Sequence, residues 1–230
     1  MTAHKPPPST MSGERTRNYL ASDDRREQLL DLGLKLFASR SYEEVAIDDI
    51  AREAGISKGL LYHYFGSKRL FYTEVVRKAA NDLLQTLDPD PKSPATENVK
   101  RGLQAYLNFV TDRADAYLAL MHGGLGVDDI INGILEDSRQ QVVKTILTHI
   151  GGDGEPLARV AARAWIGNVE AAALDWLGHG DVKVDDLIEM LTAALYIQLA
   201  VAGKRSVSRR LKLDISTGWN LLRGLVNPLS

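Results

Sequence analysis

From residue 22 onward the apolar positions recur at three- and four-residue intervals, the period of a helix with one buried face. Leu29, Leu32, Gly33, Leu36 and Phe37 fall on one such stripe. Ser22 stands where a side-chain cap is needed, and Asp23 and Asp24 suit the positive end of the helix dipole. A second, short helix is expected over 47–54 with Ile47, Ile50 and Ala51 inward, ending at Gly55, where left-handed backbone costs little. A third follows over 57–64 and a fourth from Ser67 to residue 86. Ala51, Gly55 and Ile56 let the second and third meet through a tight turn, which makes the pair a helix-turn-helix.

The run DPDPKSP over 88–94 ends the fourth helix, because its three prolines remove donors and push their predecessors to extended backbone. Further helical patterns cover 96–111, 115–121, 128–150, 156–179 and 185–202, with HGGLG and IGGDGE as breaks. No strand-type alternation and no internal repeat interrupts them, so the fold is expected to be all-α. Residues 1–21, with Pro6, Pro7 and Pro8 and few apolar side chains, read as a flexible N-terminal arm. Its Lys5, Arg15 and Arg17 are either solvated or in touch with a polyanion. The organisation read from the chain is thus an arm over 1–21, a three-helix head over 22–66 and a helical body over 67–230.

Composition narrows the partners. A chain of 230 residues can bury a sizeable core. Its net charge is −2, so affinity for nucleic acid has to come from a local patch. Residues 15–78 supply one: twelve Lys or Arg stand against ten Asp or Glu, a surplus of two. The absence of cysteine excludes disulfide and thiolate chemistry. No apolar run approaches the ~20 residues of a membrane span, and the first ten residues lack the apolar centre of a signal peptide, so a cytoplasmic protein is expected.

The stretch GISKGLLYHYFGSK over 55–68 carries the most specific chemistry. In a helix-turn-helix the second helix enters the major groove with its early residues at the base edges, while helix N-termini and cations hold phosphates. Ser57 is placed to cap that helix, Lys58 supplies charge, and Gly59 allows close approach to DNA. Leu60 or Tyr62 can touch a thymine methyl or sugar, and His63 can donate to a phosphate or base. Leu61 and Phe65, four apart, are expected to face the core. Ser67 caps the next helix, whose first turn holds Lys68 and Arg69; the dipole disfavours cations there, so the pair points to an anion.

Residues 22–78, and above all LFASRSYEEVAIDDIAREAGISKGLLYHYFGSKRLF, resemble the DNA-binding domain of TetR-family transcriptional regulators. The resemblance implies a helical dimer with a three-helix head and a larger, divergent ligand-binding body. It places DNA contacts on Ser57, Lys58, Gly59, Leu60, Tyr62, His63 and Lys68. Two positions depart from the family pattern. Ala46 replaces the Thr or Ser that caps the second helix, removing a side-chain acceptor, and Ser41 replaces the glycine after the first helix.

A single head offers too few base contacts, and a two-fold dimer reading half-sites ~34 Å apart is the usual remedy. The helices over 156–179 and 185–202 are the expected homodimer contacts. The first is rich in small residues (Ala161, Ala162, Ala164, Gly167, Ala171, Ala172 and Ala173), and the second has a seam of Leu187, Leu191, Leu195 and Leu199. A pocket for a small-molecule effector is expected between the middle helices, from Tyr106, Phe109, Val110, Met121, His122, Trp165, Asn168 and Val169. An effector that prefers wrongly spaced heads releases the DNA, with the fourth helix as the lever. The expected function is a repressor released from operator DNA by an apolar or amphiphilic effector, and a body that recruits a protein is the alternative.

An enzyme has little to work with. His4, His63, His122, His149 and His179 form no HExxH motif, HGGLG is not a dinucleotide loop, and no nucleophile elbow occurs. No catalytic residue, metal site or cofactor is therefore expected. The segment from Lys204, a basic run followed by a helix capped at Ser216 and bearing Trp219, Leu222, Leu225 and Val226, either packs on the protein or touches a membrane surface.

Overall fold

Every regular element among the described residues is an α-helix, as the 3.6-residue periodicity requires. The computed structural model describes residues 11–121, 129–150 and 155–202. In chain order the helices are α1 (Met11–Ala38), α2 (Ile47–Glu53), α3 (Lys58–Phe65), α4 (Lys68–Thr86), α5 (Ala95–Thr111), α6 (Ala114–Met121), α7 (Asp129–Ile150), α8 (Pro156–His179) and α9 (Val184–Ala202). Residues 1–10, His122 with the rest of HGGLG, the glycines of IGGDGE, and the segment from Lys204 lie outside the described residues. No described helix is long and apolar enough to cross a membrane.

The boundaries after α1 fall within a residue or two of the sequence expectation, whereas α1 itself begins at Met11 and not at Ser22. The last proline of the N-terminal segment is Pro8. Residues 11–21 contain no proline, so a helix nucleated further along can add turns through them even with no apolar stripe to announce it.

The chain divides into two compact units, Met1–Lys78 and Ala79–Ser230. The division falls inside α4, so the first half of that helix belongs to the head, where the sequence reading assigned it to the body. In the first unit Leu29, Leu30, Leu36, Phe37, Val45, Ile50, Leu61, Phe65 and Phe71 form the buried core. Phe71 lies between rings of two other helices, 4.8 Å from Phe65 and 6.2 Å from Phe37, and Tyr72 meets Phe37 edge-on at 4.8 Å. Arg26 pairs with Glu74 at 3.1 Å, and Lys78 reaches Glu27 at 3.3 Å and Asp31 at 3.4 Å, tying α1 to α4.

In the second unit α8 packs on α7 and α9, and α5 packs on α9. Leu103, Leu107 and Val110 of α5 meet Val143 and Leu147 of α7, Trp165, Ile166 and Val169 of α8, and Leu187, Leu191, Leu195 and Leu199 of α9 in one core. The Trp165 indole N–H donates to the Leu191 carbonyl at 2.7 Å, which fixes α8 against α9. Before α5 the proline-rich break is an ordered turn. The Asp90 carboxylate accepts from Lys92 N at 2.9 Å and from Ser93 Oγ at 2.8 Å, and the Asn98 side chain bonds both the N–H and the carbonyl of Asp90.

At Gly33 the backbone of α1 lies directly against side chains of α4. A Cβ there would come within 2.4 Å of Val75 Cγ2 and 2.8 Å of Phe71 Cζ. Val75 is stiff at χ1 and both side chains are buried, so α1 and α4 would have to separate. Gly33→Ala is expected to destabilise the head by about 1–3 kcal/mol despite the better helix propensity of alanine, measured by urea unfolding followed by circular dichroism.

Candidate nucleic-acid interface

The turn between α2 and α3 is built from local hydrogen bonds. Gly55 has φ 64°. Its N–H donates to the Arg52 carbonyl at 3.1 Å, and Ile56 N–H donates to the Ala51 carbonyl at 3.0 Å, closing α2. Ser57 then takes extended backbone, and its hydroxyl accepts from Leu60 N–H at 3.1 Å, opening α3. At the far end Gly66, with φ 74°, returns its N–H to the Tyr62 carbonyl, and Ser67 Oγ accepts from Leu70 N–H at 3.1 Å to open α4. Both caps sit where the sequence placed them.

One face of α3 is anchored and the other is free to meet a ligand. Leu61 and Phe65 are buried, as their spacing required. Lys58, Gly59, Leu60, Tyr62 and His63 are all exposed, Leu60 at 38% and Tyr62 at 40% despite their apolar bulk. A Cβ on Gly59 would find only Ser57 Oγ, at 3.9 Å, so nothing in the protein itself demands glycine there.

The cations on this face have partners that sequence spacing did not suggest. Lys58 Nζ lies 3.0 Å from the Asp48 carboxylate of α2, and that hydrogen bond raises the lysine pKa. Lys68 is half-buried, with Nζ 4.2 Å from the centre of the Tyr42 ring. The ring face supplies part of the electrostatic complement that the α4 N-terminus denies a cation. Arg69 is exposed beside it. Exposed ion pairs contribute about 0–1 kcal/mol, little enough for a phosphate to take the place of Asp48. Asp48 and Tyr42 were missed because they lie ten and twenty-six residues from their partners, beyond the reach of helix periodicity.

The two departures from the family pattern have structural counterparts. Ala46 occupies the cap position of α2 in extended backbone and offers no side-chain acceptor. After α1, Ser41 N–H donates to the Glu44 carboxylate at 2.8 Å, so a side-chain bond closes the turn at the position where the family has glycine. That backbone hydrogen bond lowers the Glu44 pKa.

In the body the residues expected around an effector are divided by their surroundings. Val110, Trp165 and Val169 are core residues, with Tyr106 and Phe109 packed against the same cluster. Met121 ends α6 half-buried, and Asn168 is half-buried on α8. Arg113 covers the Phe109 ring at 4.4 Å. Tyr106 and Tyr117 share a hydroxyl hydrogen bond of 2.6 Å, and burial pushes both phenols up so that they stay protonated. Nearby, Arg139 donates to Glu170 at 2.7 Å, and Arg163 holds Glu136 at 2.9 Å, which keeps that carboxylate below its usual range. Tyr117, Arg139 and Glu170 join elements eleven to thirty-one residues apart and left no short-range signal.

A capped, two-helix reader presenting an exposed mixed face above a three-helix core defines a DNA-binding regulator of transcription. Comparison with known proteins agrees. The family model described as bacterial regulatory proteins, tetR family, matches residues 29–75, and the tetracyclin repressor-like C-terminal domain matches 95–198. The transcriptional repressor KstR2 of Rhodococcus jostii is 38% identical over 164 residues, 70% of this chain and 71% of that protein. The transcriptional activator FasR of Mycolicibacterium smegmatis is 32% identical over 108 residues, 46% of this chain and 49% of that protein, so the match spans about half of that relative. A TetR-family regulator from Streptomyces coelicolor superposes with a TM-score of 0.75 at 30% identity, covering 83% of this chain and 87% of that one. The chain belongs to the TetR family of transcriptional regulators.

The Lys58–Asp48 pair makes a specific prediction. Asp48→Asn removes the negative charge paired with Lys58 and frees that cation, so affinity for duplex DNA is expected to rise by up to about fivefold, the equivalent of one exposed ion pair. Fluorescence anisotropy with a labelled duplex at fixed salt measures it, and a loss of affinity would show that Asp48 itself assists binding.

Proposed function

We propose that the protein is a dimeric cytoplasmic repressor that holds operator DNA through α3 and the start of α4 and releases it when a small apolar or amphiphilic effector enters the body. The reading rests above all on the outward face of α3, where Lys58, Gly59, Leu60, Tyr62 and His63 stand exposed over an anchored Leu61 and Phe65. Ser57, Lys68 and Arg69 add a capped helix start and two cations at its edge. The 38% identity with a protein named as a repressor supports repression over activation.

Dimerisation draws support from α8 and α9, through a different face from the one the leucine spacing suggested. Leu187, Leu191, Leu195 and Leu199 are 0–5% exposed inside the chain's own core, packed on α5 and α8, and Ala162 and Ala173 are buried as well. They have no surface left for a partner. The apolar residues that do reach solvent are Met190, Ala193, Ile197 and Val201 on α9, Val201 at 80%, with Leu157, Val160, Ala164 and Ala171 on α8. Apolar rows of this kind on two helices mark an interaction surface, and a second copy brings the matching rows by two-fold symmetry.

Two experiments test the reading. Binding to the protein's own upstream DNA is expected to be sequence-selective and to weaken steeply with salt, because each phosphate contact releases counterions, and Tyr62→Ala should cut it at least tenfold without altering the circular dichroism. Affinity no greater than for random duplex would remove the operator assignment. Separately, Met190→Glu with Ile197→Glu should convert a dimer into monomers in sedimentation equilibrium; an unchanged dimer would move the interface elsewhere.

A further inference from the structure

α9 carries two buried hydroxyls that bond nothing among the described residues. Thr192 and Tyr196 are one turn apart, 6% and 7% exposed, and neither Thr192 Oγ1 nor Tyr196 Oη has a hydrogen-bond partner there. Other helical threonines here satisfy themselves locally: Thr73 Oγ1 donates to the Arg69 carbonyl at 3.0 Å and Thr111 Oγ1 to the Leu107 carbonyl at 2.8 Å. The Thr192 hydroxyl does not make the equivalent bond to its own helix. The half-buried phenols of the body, Tyr106 and Tyr117, bond each other. An unpaired buried hydroxyl costs stability that valine or phenylalanine of the same shape would not, so two on one flank of a helix call for a partner that the described residues do not supply.

The pair sits about 100° around α9 from the row Leu191, Leu195 and Leu199, beside Ile188, in apolar surroundings. Gln198, whose Oε1 also lacks a partner, lies on the opposite flank and is not part of the pair. Burial pushes the Tyr196 phenol up to about 12, so it keeps its proton and acts as a donor. Thr192, free of its own carbonyl, donates as well.

We infer that Thr192 and Tyr196 form the polar end of the effector site, where they receive an oxygen acceptor, carboxylate or carbonyl, at the end of a mainly apolar molecule. This rests on the proposed reading that the body binds a small molecule. It adds two residues outside the set expected from sequence and narrows the effector to one with an acceptor-bearing head.

The test uses the full-length protein and the double variant Thr192→Val with Tyr196→Phe. Thermal unfolding is followed with octanoate, dodecanoate and cholate, and with octylamine as a control of matched tail. At least one carboxylate should raise the wild-type melting temperature, and the variant should bind it at least tenfold more weakly. Without ligand the variant should melt at or above the wild-type temperature, which separates lost recognition from lost folding. Octylamine, which brings only donors, should protect neither protein. The inference is overturned if no carboxylate protects the wild type, if the variant keeps wild-type affinity, or if octylamine protects in place of the acids. Operator release is measured on the same samples. A small molecule that frees DNA equally from both proteins would preserve the effector-gated regulator while removing these hydroxyls from it.

Discussion

A side chain at position 33 would occupy space already held by Val75 and Phe71, and that contact sets the geometry of the head. Because α1 and α4 meet backbone to side chain at Gly33, Phe71 is driven fully inside, with the Phe37 and Phe65 rings on either side. Phe65 is the last residue of α3, so the helix that presents Tyr62 and Leu60 is registered against α1 and α4 through one ring. Arg26 reinforces the junction from outside, lying 5.2 Å above the Phe65 ring while it bonds Glu74. A reader of base edges needs a rigid support more than a strong one, since misplacement by about an ångström is enough to break bidentate contacts.

Electrostatics on the outward face follows a complementary rule. The chain is net negative, so the local cations have to be held ready without being neutralised permanently. Asp48 and the Tyr42 ring suit this: both orient a lysine near the recognition helix, and both are weak enough for a phosphate to displace or supplement them.

The head was largely legible in the sequence because its determinants are local. A glycine with positive φ, a serine cap three residues before a bonded N–H, and two core residues four apart act within a turn or two, and each was found where the pattern placed it. Residues 11–21 were read as a flexible arm because they lack an apolar stripe, yet a helix nucleated elsewhere along its length can extend through residues that show no such stripe. The body was legible as helices and much less as surfaces. Periodicity shows that Leu187, Leu191, Leu195 and Leu199 share a face; it does not say whether α5, α8 or a second chain covers it, and here α5 and α8 do. Tyr106 with Tyr117, and Arg139 with Glu170, depend on how helices cross, which no single window of sequence encodes.

α9 gathers these constraints into one element. Its leucine row is consumed by the core, its opposite face is apolar and exposed at Met190, Ile197 and Val201, and the flank between carries the unpaired Thr192 and Tyr196. A helix apolar on both sides is stable in water only if both are eventually covered, and core packing accounts for one. In the proposed function a second chain covers the other, and the flank meets the effector. Ligand contacts and subunit contacts would then lie on one rigid rod, more than a third of a turn apart. A small rotation of α9 about its axis, enough to bring two hydroxyls onto an acceptor, would also turn the apolar row against its partner. In a symmetric dimer that rotation would occur twice, so differential binding energy at the hydroxyls would be expressed at the subunit contact itself.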